Sequence, residues 1–128
     1  FKAPEILLGK PYGKPADMWS VGLIAVMLLN GNHPFYEANV EEMMTRVANG
    51  NCRFKQEDWV SVSDCAKDFI RKLLTLDADS RMTAEQARNH RWLLADDSTL
   101  EAHDLRNNLE QLKIFHAKRK LRAVLKTV

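Results

Sequence analysis

Cysteine, glycine and proline are scarce in this sequence, which has 2 Cys, 5 Gly and 4 Pro among 128 residues. The two cysteines form no CxxC pair, which argues against a disulfide framework or a structural zinc site and favours a reducing compartment, the cytoplasm. The longest apolar stretch, Trp19 to Leu29, spans 11 residues, whereas a membrane-spanning helix needs about 20. No signal peptide is recognisable after Phe1. We therefore expect a soluble globular domain.

Motifs that bind phosphates or metals are also absent from the sequence. The 5 glycines form no GxGxxG or Walker pattern, so no glycine-rich loop is available to cradle a phosphate. No HExxH motif occurs, and the 4 histidines are scattered without a partner at metal-ligand spacing. We therefore expect the chain to hold no metal site and no catalytic residue.

Charge is nearly balanced over the whole chain but unevenly distributed along it. The 19 basic and 17 acidic residues give a net charge of +2, which does not indicate a nucleic-acid-binding protein. Residues 112–128 contain six basic side chains and no acidic one, so 13 basic and 17 acidic residues remain elsewhere. The C-terminal segment thus presents a different surface from the rest of the chain. Its basic residues are Lys113, Lys118, Arg119, Lys120, Arg122 and Lys126.

Periodicity and capping residues predict an all-α fold. The segment Ala16 to Leu29 has apolar residues on every side of the helix that it would form, which predicts a central, buried helix. Asn30-Gly31 is predicted to end this helix. No stretch alternates apolar and polar residues with the period of a strand. Further helices are predicted to begin at residues that favour helix caps. These caps are Asn39, Ser63, Thr83 and Ser98, and the first three helices extend to about Asn49, Leu74 and Asn89.

Two apolar stripes mark the C-terminal segment as helical. At 100° per residue they lie roughly 150–180° apart on one helix. One straight helix cannot bury both against the same surface, so either the helix breaks near His116 or its second half contacts another molecule. The first stripe is Leu105, Leu109, Leu112 and Phe115, and the second is Ile114, Leu121, Leu125 and Val128.

Five short motifs, in this order and spacing, resemble the C-terminal lobe of eukaryotic protein kinases. APE is one of that family's signature elements, and a DxWxxG motif follows it. The resemblance is closest to calcium/calmodulin-dependent kinases, particularly the type II enzymes and the related kinase-like domain of a membrane-associated guanylate kinase scaffold, and residues 11–19 and 112–121 carry it. The five motifs are Ala3-Pro4-Glu5, Asp17-Met18-Trp19-Ser20-Val21-Gly22, Pro34-Phe35, Arg81 and His90-Arg91-Trp92.

This resemblance implies a fold, a division of the chain and a function. Residues 1–95 resemble the helical half of the kinase C-lobe, and residues 96–128 resemble an autoinhibitory and calmodulin-binding regulatory helix. The implied function is that of a calmodulin-regulated Ser/Thr kinase, which transfers a phosphoryl group from ATP to a protein substrate. In the family the catalytic and metal-binding groups precede APE. ATP and Mg²⁺ are therefore expected in a parent kinase, and this chain without the remainder of the kinase domain is expected to be inactive.

The same resemblance assigns roles to individual positions. Glu5 is expected to pair with Arg81, and Asp17 is expected to accept backbone hydrogen bonds from the catalytic loop. Asn108 occupies the position of the type II autophosphorylated threonine, which puts autonomous activation in doubt. The substrate-facing loop is Phe1, Lys2, Ala3, Pro4 and Glu5, and the residues expected to bind calcium-loaded calmodulin are Phe115, Lys118, Arg119, Lys120, Leu121, Arg122, Leu125 and Val128.

Two other functions remain open from the sequence. The first is a kinase-like module that has lost activity and binds proteins as a scaffold, which the catalytic-loop Asp and the DFG Asp of the parent would distinguish. The second is an independent helical module whose basic tail binds acidic membranes or nucleic acid. Against the second, the tail has one aromatic residue, Phe115, and no basic cluster occurs elsewhere.

Overall fold

The computed structural model describes residues 2–31, 34–35, 40–50, 59–101 and 104–127. These residues form seven helices and no strand, so the all-α prediction is confirmed. None of the described helices combines the length and the apolarity that crossing a membrane requires. The helices are α1 (Pro4–Leu7), α2 (Lys14–Asn30), α3 (Val40–Ala48), α4 (Asp64–Leu73), α5 (Ala84–Arg88), α6 (Asp97–Glu101) and α7 (Arg106–Thr127).

α2 is the helix against which α4 and α7 pack. It ends because Gly31 adopts a left-handed conformation, with φ at 80°, and donates its N–H to the Met27 carbonyl. The opposite side of α2 is exposed, at 42% for Val21, 46% for Ile24 and 60% for Leu28. The predicted central helix is therefore buried on one face only, the face that the described elements cover. The buried residues are Ala16, Trp19, Gly22, Leu23, Val26, Leu29 and Asn30.

Three clusters of buried side chains hold the helices together. In the first, the Trp19 and Phe35 rings stack with their centroids 5.8 Å apart. The second joins α2 to α4 and to the turn before it. In the third, Phe69 of α4 packs against the Trp92 ring at a centroid distance of 5.0 Å. The clusters comprise Ala3, Ala16, Trp19, Leu23, Phe35 and Val47; Val26, Leu29, Trp59, Val62, Ala66 and Ile70; and Phe69, Leu73, Met82 and Ala87.

Two of the predicted caps begin helices in the structure. The Ser63 hydroxyl accepts the N–H of Ala66 at 3.2 Å, and α4 follows directly. Thr83 and Gln86 form a reciprocal capping box at the start of α5, in which each side chain accepts the backbone N–H of the other residue. Each cap satisfies an N–H group that lacks a partner within its helix.

The predicted cap of α6 is wrong. Asp96, not Ser98, caps this helix, because the Asp96 Oδ1 accepts the N–H of Thr99 at 2.8 Å. A carboxylate is a stronger acceptor than a hydroxyl and is favoured at the positive end of a helix. The fourth predicted cap, Asn39, lies outside the described residues, and α3 begins at Val40.

α7 is one continuous helix, so of the two alternatives for the C-terminal stripes the break near His116 does not occur. Its docked face is centred on Asn108, which is 6% exposed. Leu112 and Phe115 are half-buried on the same side. Leu109, which the apolar stripe placed there, is 50% exposed, because it points about 100° away from Asn108. Hydropathy therefore placed Leu112 and Phe115 on the docked face correctly but chose Leu109 in place of Asn108.

Candidate functional site

Glu5 in α1 lies against Arg81, which precedes α5. The Arg81 Nη1 is 2.8 Å from the Glu5 Oε1, and the Nη2 is 3.0 Å from the Oε2. This is the bidentate geometry in which a guanidinium binds a carboxylate most strongly. The side chains are 0% exposed for Arg81 and 7% exposed for Glu5. The structure thus brings together the two residues that the kinase resemblance expected to pair.

Arg81 donates all five of the N–H groups that a guanidinium carries. Besides the two bonds to Glu5, the Nε donates to the Thr75 carbonyl at 2.9 Å, Nη1 to the Pro15 carbonyl at 2.8 Å and Nη2 to the Leu76 carbonyl at 3.1 Å. The Arg81 Cζ also lies 5.1 Å from the centre of the Trp19 ring, within the range of a cation–π contact. One side chain therefore ties α1, the start of α2 and the turn after α4 together.

The charge state of this pair follows from its geometry. Hydrogen bonding from Arg81 is the largest influence on Glu5 and lowers the pKa of its carboxyl below the ordinary value of 4.5, against the opposing effect of burial. Glu5 is consequently ionised at neutral pH. The buried guanidinium thus has a full counter-charge.

The segment that resembles a substrate-facing loop is fixed at one end by this pair. Ala3 and Pro4 are buried and Lys2 is exposed, while Phe1 lies outside the described residues. The Ala3 carbonyl accepts the N–H groups of Ile6 and Leu7, which closes α1 onto the segment. Only the first of the described loop residues therefore presents its side chain to solvent.

Asp17 occupies the exposed face of α2. At 100° per residue, it shares that face with Val21, Ile24 and Leu28, and all four side chains are exposed. The face is thus an apolar stripe with one carboxylate at its N-terminal end. Nothing in the described part of the chain covers it.

The C-terminal half of α7 presents a second exposed stripe. Ile114 is 45% exposed and Leu121 is 60% exposed, and both lie on the side of the helix opposite Asn108. Residues 118–120 are basic and exposed, whereas Phe115 is half-buried on the docked side. Of the other residues expected to bind calmodulin, Arg122 and Leu125 belong to α7 with side chains outside the described set, and Val128 lies outside the described residues.

Sequence reasoning missed a polar contact at His90, which it identified only as part of the His90-Arg91-Trp92 motif. The His90 Nδ1 accepts the N–H of Trp92 at 3.2 Å, so its Nε2 carries the proton and donates to the Asp68 Oδ2 at 3.0 Å. Hydrogen bonds from Lys72 and, next, from His90 lower the pKa of Asp68 to about 2. In the part of the chain that the structure describes, no group of three or more His, Cys, Asp or Glu residues is placed to hold a metal ion.

A second missed contact joins α7 to α2. The Asn108 Nδ2 donates to the Leu29 carbonyl at 2.6 Å, and the Asn108 Oδ1 accepts from the Ser61 hydroxyl at 3.0 Å. A signal was present in the sequence, because Asn108 is a polar residue on the same side of α7 as Leu112 and Phe115. Its partners could not be read, because Leu29 is 79 positions away.

Comparisons with known proteins show which family the chain is similar to. The family described as "Protein kinase domain" matches residues 1–93. "Calcium/calmodulin-dependent protein kinase type 1" of Macrobrachium nipponense is 39% identical over 123 residues, covering 95% of this chain and 35% of the relative. "Serine/threonine-protein kinase H1" of Homo sapiens is 40% identical over 109 residues, covering 85% and 26%.

The fold has a counterpart among solved structures. The twitchin kinase region from C. elegans superposes with a TM-score of 0.80 at 34% identity, covering 92% of this chain and 21% of that chain. This chain thus spans about a third or less of the length of each of these proteins.

Proposed function

Because this chain belongs to the protein kinase family, we propose that it forms the substrate-side helical part of a Ser/Thr protein kinase that calmodulin regulates. In this proposal residues 1–95 form the C-lobe portion and residues 96–128 the regulatory segment. The buried pair of Glu5 and Arg81 is the observation that carries the kinase assignment. It fixes the segment that resembles the substrate-facing loop, and a rigid loop holds a peptide substrate in one orientation.

The exposed face of α2 supports a role for this chain within a larger catalytic unit. A contiguous apolar stripe is suited to pack against another segment of the protein. The carboxylate at its end is suited to accept hydrogen bonds from that segment. We assign Asp17 to that acceptor role, with Val21, Ile24 and Leu28 packing beside it. The groups that bind ATP and Mg²⁺ in the family are not among these 128 residues, so both cofactors belong to the whole kinase.

The regulatory part of the proposal depends on the exposed stripe of α7. Calmodulin binds cationic, amphipathic helices that offer bulky apolar anchors. Ile114 and Leu121 are exposed anchors of that kind, and the helix around them carries basic residues and no acidic residue from Leu112 onward. The resemblance of residues 112–121 favours the type II kind of regulatory segment.

Calmodulin titration of the whole chain tests this function. We expect binding that requires calcium and that weakens about tenfold or more in the Leu121→Asp variant, because a buried apolar anchor dominates such interfaces. Leu109→Asp is the matched control, since it introduces the same charge at an exposed position of α7 before the basic segment. No binding in calcium, or equal weakening by both variants, contradicts the proposal.

Two residues of the family distinguish an active kinase from a kinase-like protein that only binds other proteins. An active kinase has a catalytic-loop Asp and the metal-binding Asp of DFG, both of which precede APE. Reading the genomic sequence ahead of the Phe1 codon tests for them. Both aspartates in frame support phosphoryl transfer, and replacement of either one supports a protein-binding scaffold module.

A further inference from the structure

The C-terminal end of α2 is capped from a distant part of the chain. The last carbonyl groups of a helix have no partner within it, and the Gly31 N–H satisfies the one at Met27. The Leu29 carbonyl instead accepts the Asn108 side chain at 2.6 Å. Both residues are buried, at 9% and 6% exposure. The Ser61 hydroxyl completes the site by donating to the other end of the same amide at 3.0 Å.

This contact is compatible with one register of α7 on α2. One turn along the docked side of α7, the neighbours of Asn108 are Leu105 and Leu112. A slip by one turn would place a leucine against the Leu29 carbonyl and move the amide into apolar surroundings. Both changes leave a buried polar group unpaired, which is the costly outcome for such groups. A single buried asparagine sets helix register in coiled coils for the same reason.

Gly31 allows the close approach that the contact needs. A Cβ at this position would lie 2.5 Å from the Asn108 carbonyl oxygen, 2.6 Å from the Gln111 Cβ and 2.7 Å from the Leu112 nitrogen. Real Cβ atoms do not approach other atoms so closely. The backbone of α7 therefore rests directly on the turn that ends α2.

We propose that Asn108 is a latch that holds α7 on the lobe in one register, and that this latch opposes capture of the regulatory segment by calmodulin. The second part rests on the function proposed above. Phe115 lies two turns after Asn108 and is half-buried on the docked side, whereas Leu121 is exposed. A partner that surrounds the helix must reach both sides, so it must first break the contact with Leu29.

Hydrogen exchange and calmodulin titration of the whole chain test the latch. In Asn108→Asp, a carboxylate of nearly the same shape faces the Leu29 carbonyl and cannot donate to it. We expect amide exchange over residues 106–121 to accelerate about tenfold or more, and calmodulin to bind about fivefold more tightly in calcium. Asn107→Asp is the matched control, because Asn107 is exposed and the charge change is identical.

The outcomes separate the latch from the proposed function. Unchanged exchange over residues 106–121 in Asn108→Asp overturns the latch, whatever calmodulin does. Faster exchange without tighter calmodulin binding overturns the coupling. Faster exchange with no calmodulin binding by any variant supports the latch and overturns calmodulin regulation. Equal acceleration of amide exchange in α4 means that the lobe itself unfolds, and this overturns a latch confined to α7. Ser61→Ala removes only the bond to the Asn108 Oδ1 and leaves the bond to the Leu29 carbonyl. We therefore expect Ser61→Ala to accelerate exchange in neither helix.

Discussion

Arg81 and Glu5 form a bidentate ion pair in which every N–H group of the guanidinium has an acceptor. A buried charge with all its hydrogen bonds made is costly to disturb, since removal of one partner leaves the other charged and dry. The Trp19 ring covers the guanidinium and excludes water from it. The pair therefore controls stability more strongly than an ion pair on the surface does.

Replacement of Arg81 tests this conclusion. We expect Arg81→Ala to lower the free energy of unfolding by about 3–5 kcal/mol, measured by urea denaturation followed by circular dichroism. Arg81→Lys keeps the charge but not the planar fork, so it is also expected to destabilise the chain. Arg106→Ala is the control, because Arg106 is 89% exposed in its pair with Asp104, and its loss is expected to have no measurable effect. Equal effects of Arg81→Ala and Arg106→Ala contradict a buried pair.

Stability is expected to fall in acid through Glu5. The pKa of Glu5 is lower in the folded chain than its ordinary value of 4.5, so its contribution is fully present above 4.5 and is lost as the pH falls through the folded pKa. Glu5→Gln is therefore expected to destabilise most at neutral pH, and the gap to the wild type is expected to narrow in acid. Asp68, whose pKa is lowered from 3.8 to about 2, acts at lower pH in both proteins. Urea unfolding over a series of pH values checks this, and a gap that does not change with pH contradicts it.

Substitutions at Gly31 and Gly9 provide a matched test of the close approach of α7 to the end of α2. Both adopt left-handed backbone conformations, with φ at 80° and 67°, but a Cβ meets nothing within 4 Å at Gly9. Gly9→Ala is expected to cost only the left-handed conformation, about 1–2 kcal/mol. Gly31→Ala must also displace α7, so a larger loss of stability and faster hydrogen exchange in α7 are expected. Equal losses for the two variants would mean that α7 does not rest on Gly31.

The exposed stripe of α2 is expected to bind hydrophobic dyes and to promote self-association, because contiguous apolar surface of this kind is rare on isolated soluble domains. Ile24→Lys combined with Leu28→Lys is expected to reduce dye fluorescence and aggregate size. Val60→Lys is the control, since Val60 is 81% exposed and lies away from the stripe. Fluorescence titration and light scattering give the two readouts, and equal effects of stripe and control variants contradict the expectation.

The sequence was most informative where the relevant interaction is local or belongs to a family motif. Ser63 and Thr83 act on N–H groups three residues ahead, so spacing alone identified both caps. The pairing of Glu5 with Arg81 came from the kinase resemblance, since neither spacing nor hydropathy connects them. At α6 the capping-box pattern favoured Ser98, whereas the helix begins two residues earlier with Asp96 as its cap.

The docked face of α7 shows why contacts between distant helices were not predictable from the sequence. Hydropathy ranks Leu109 above Asn108, and a helix that packed through dispersion alone would follow that ranking. The docked face is decided instead by the Leu29 carbonyl, which takes its hydrogen-bond donor from outside its own helix, and by the absence of a side chain at Gly31. Both are properties of the end of another helix, and neither is visible from the residues of α7.

The pair of Arg81 and Glu5 also has a consequence for the order in which the chain folds. The two residues are 76 positions apart, so their contact closes a long loop, and the entropy of closure must be lost before the contact forms. During synthesis Glu5 emerges first and has no counter-ion until Arg81 follows. We expect α1 to dock late, after α2 and α4 have met, so substitutions at Arg81 should mainly accelerate unfolding and leave the folding rate nearly unchanged.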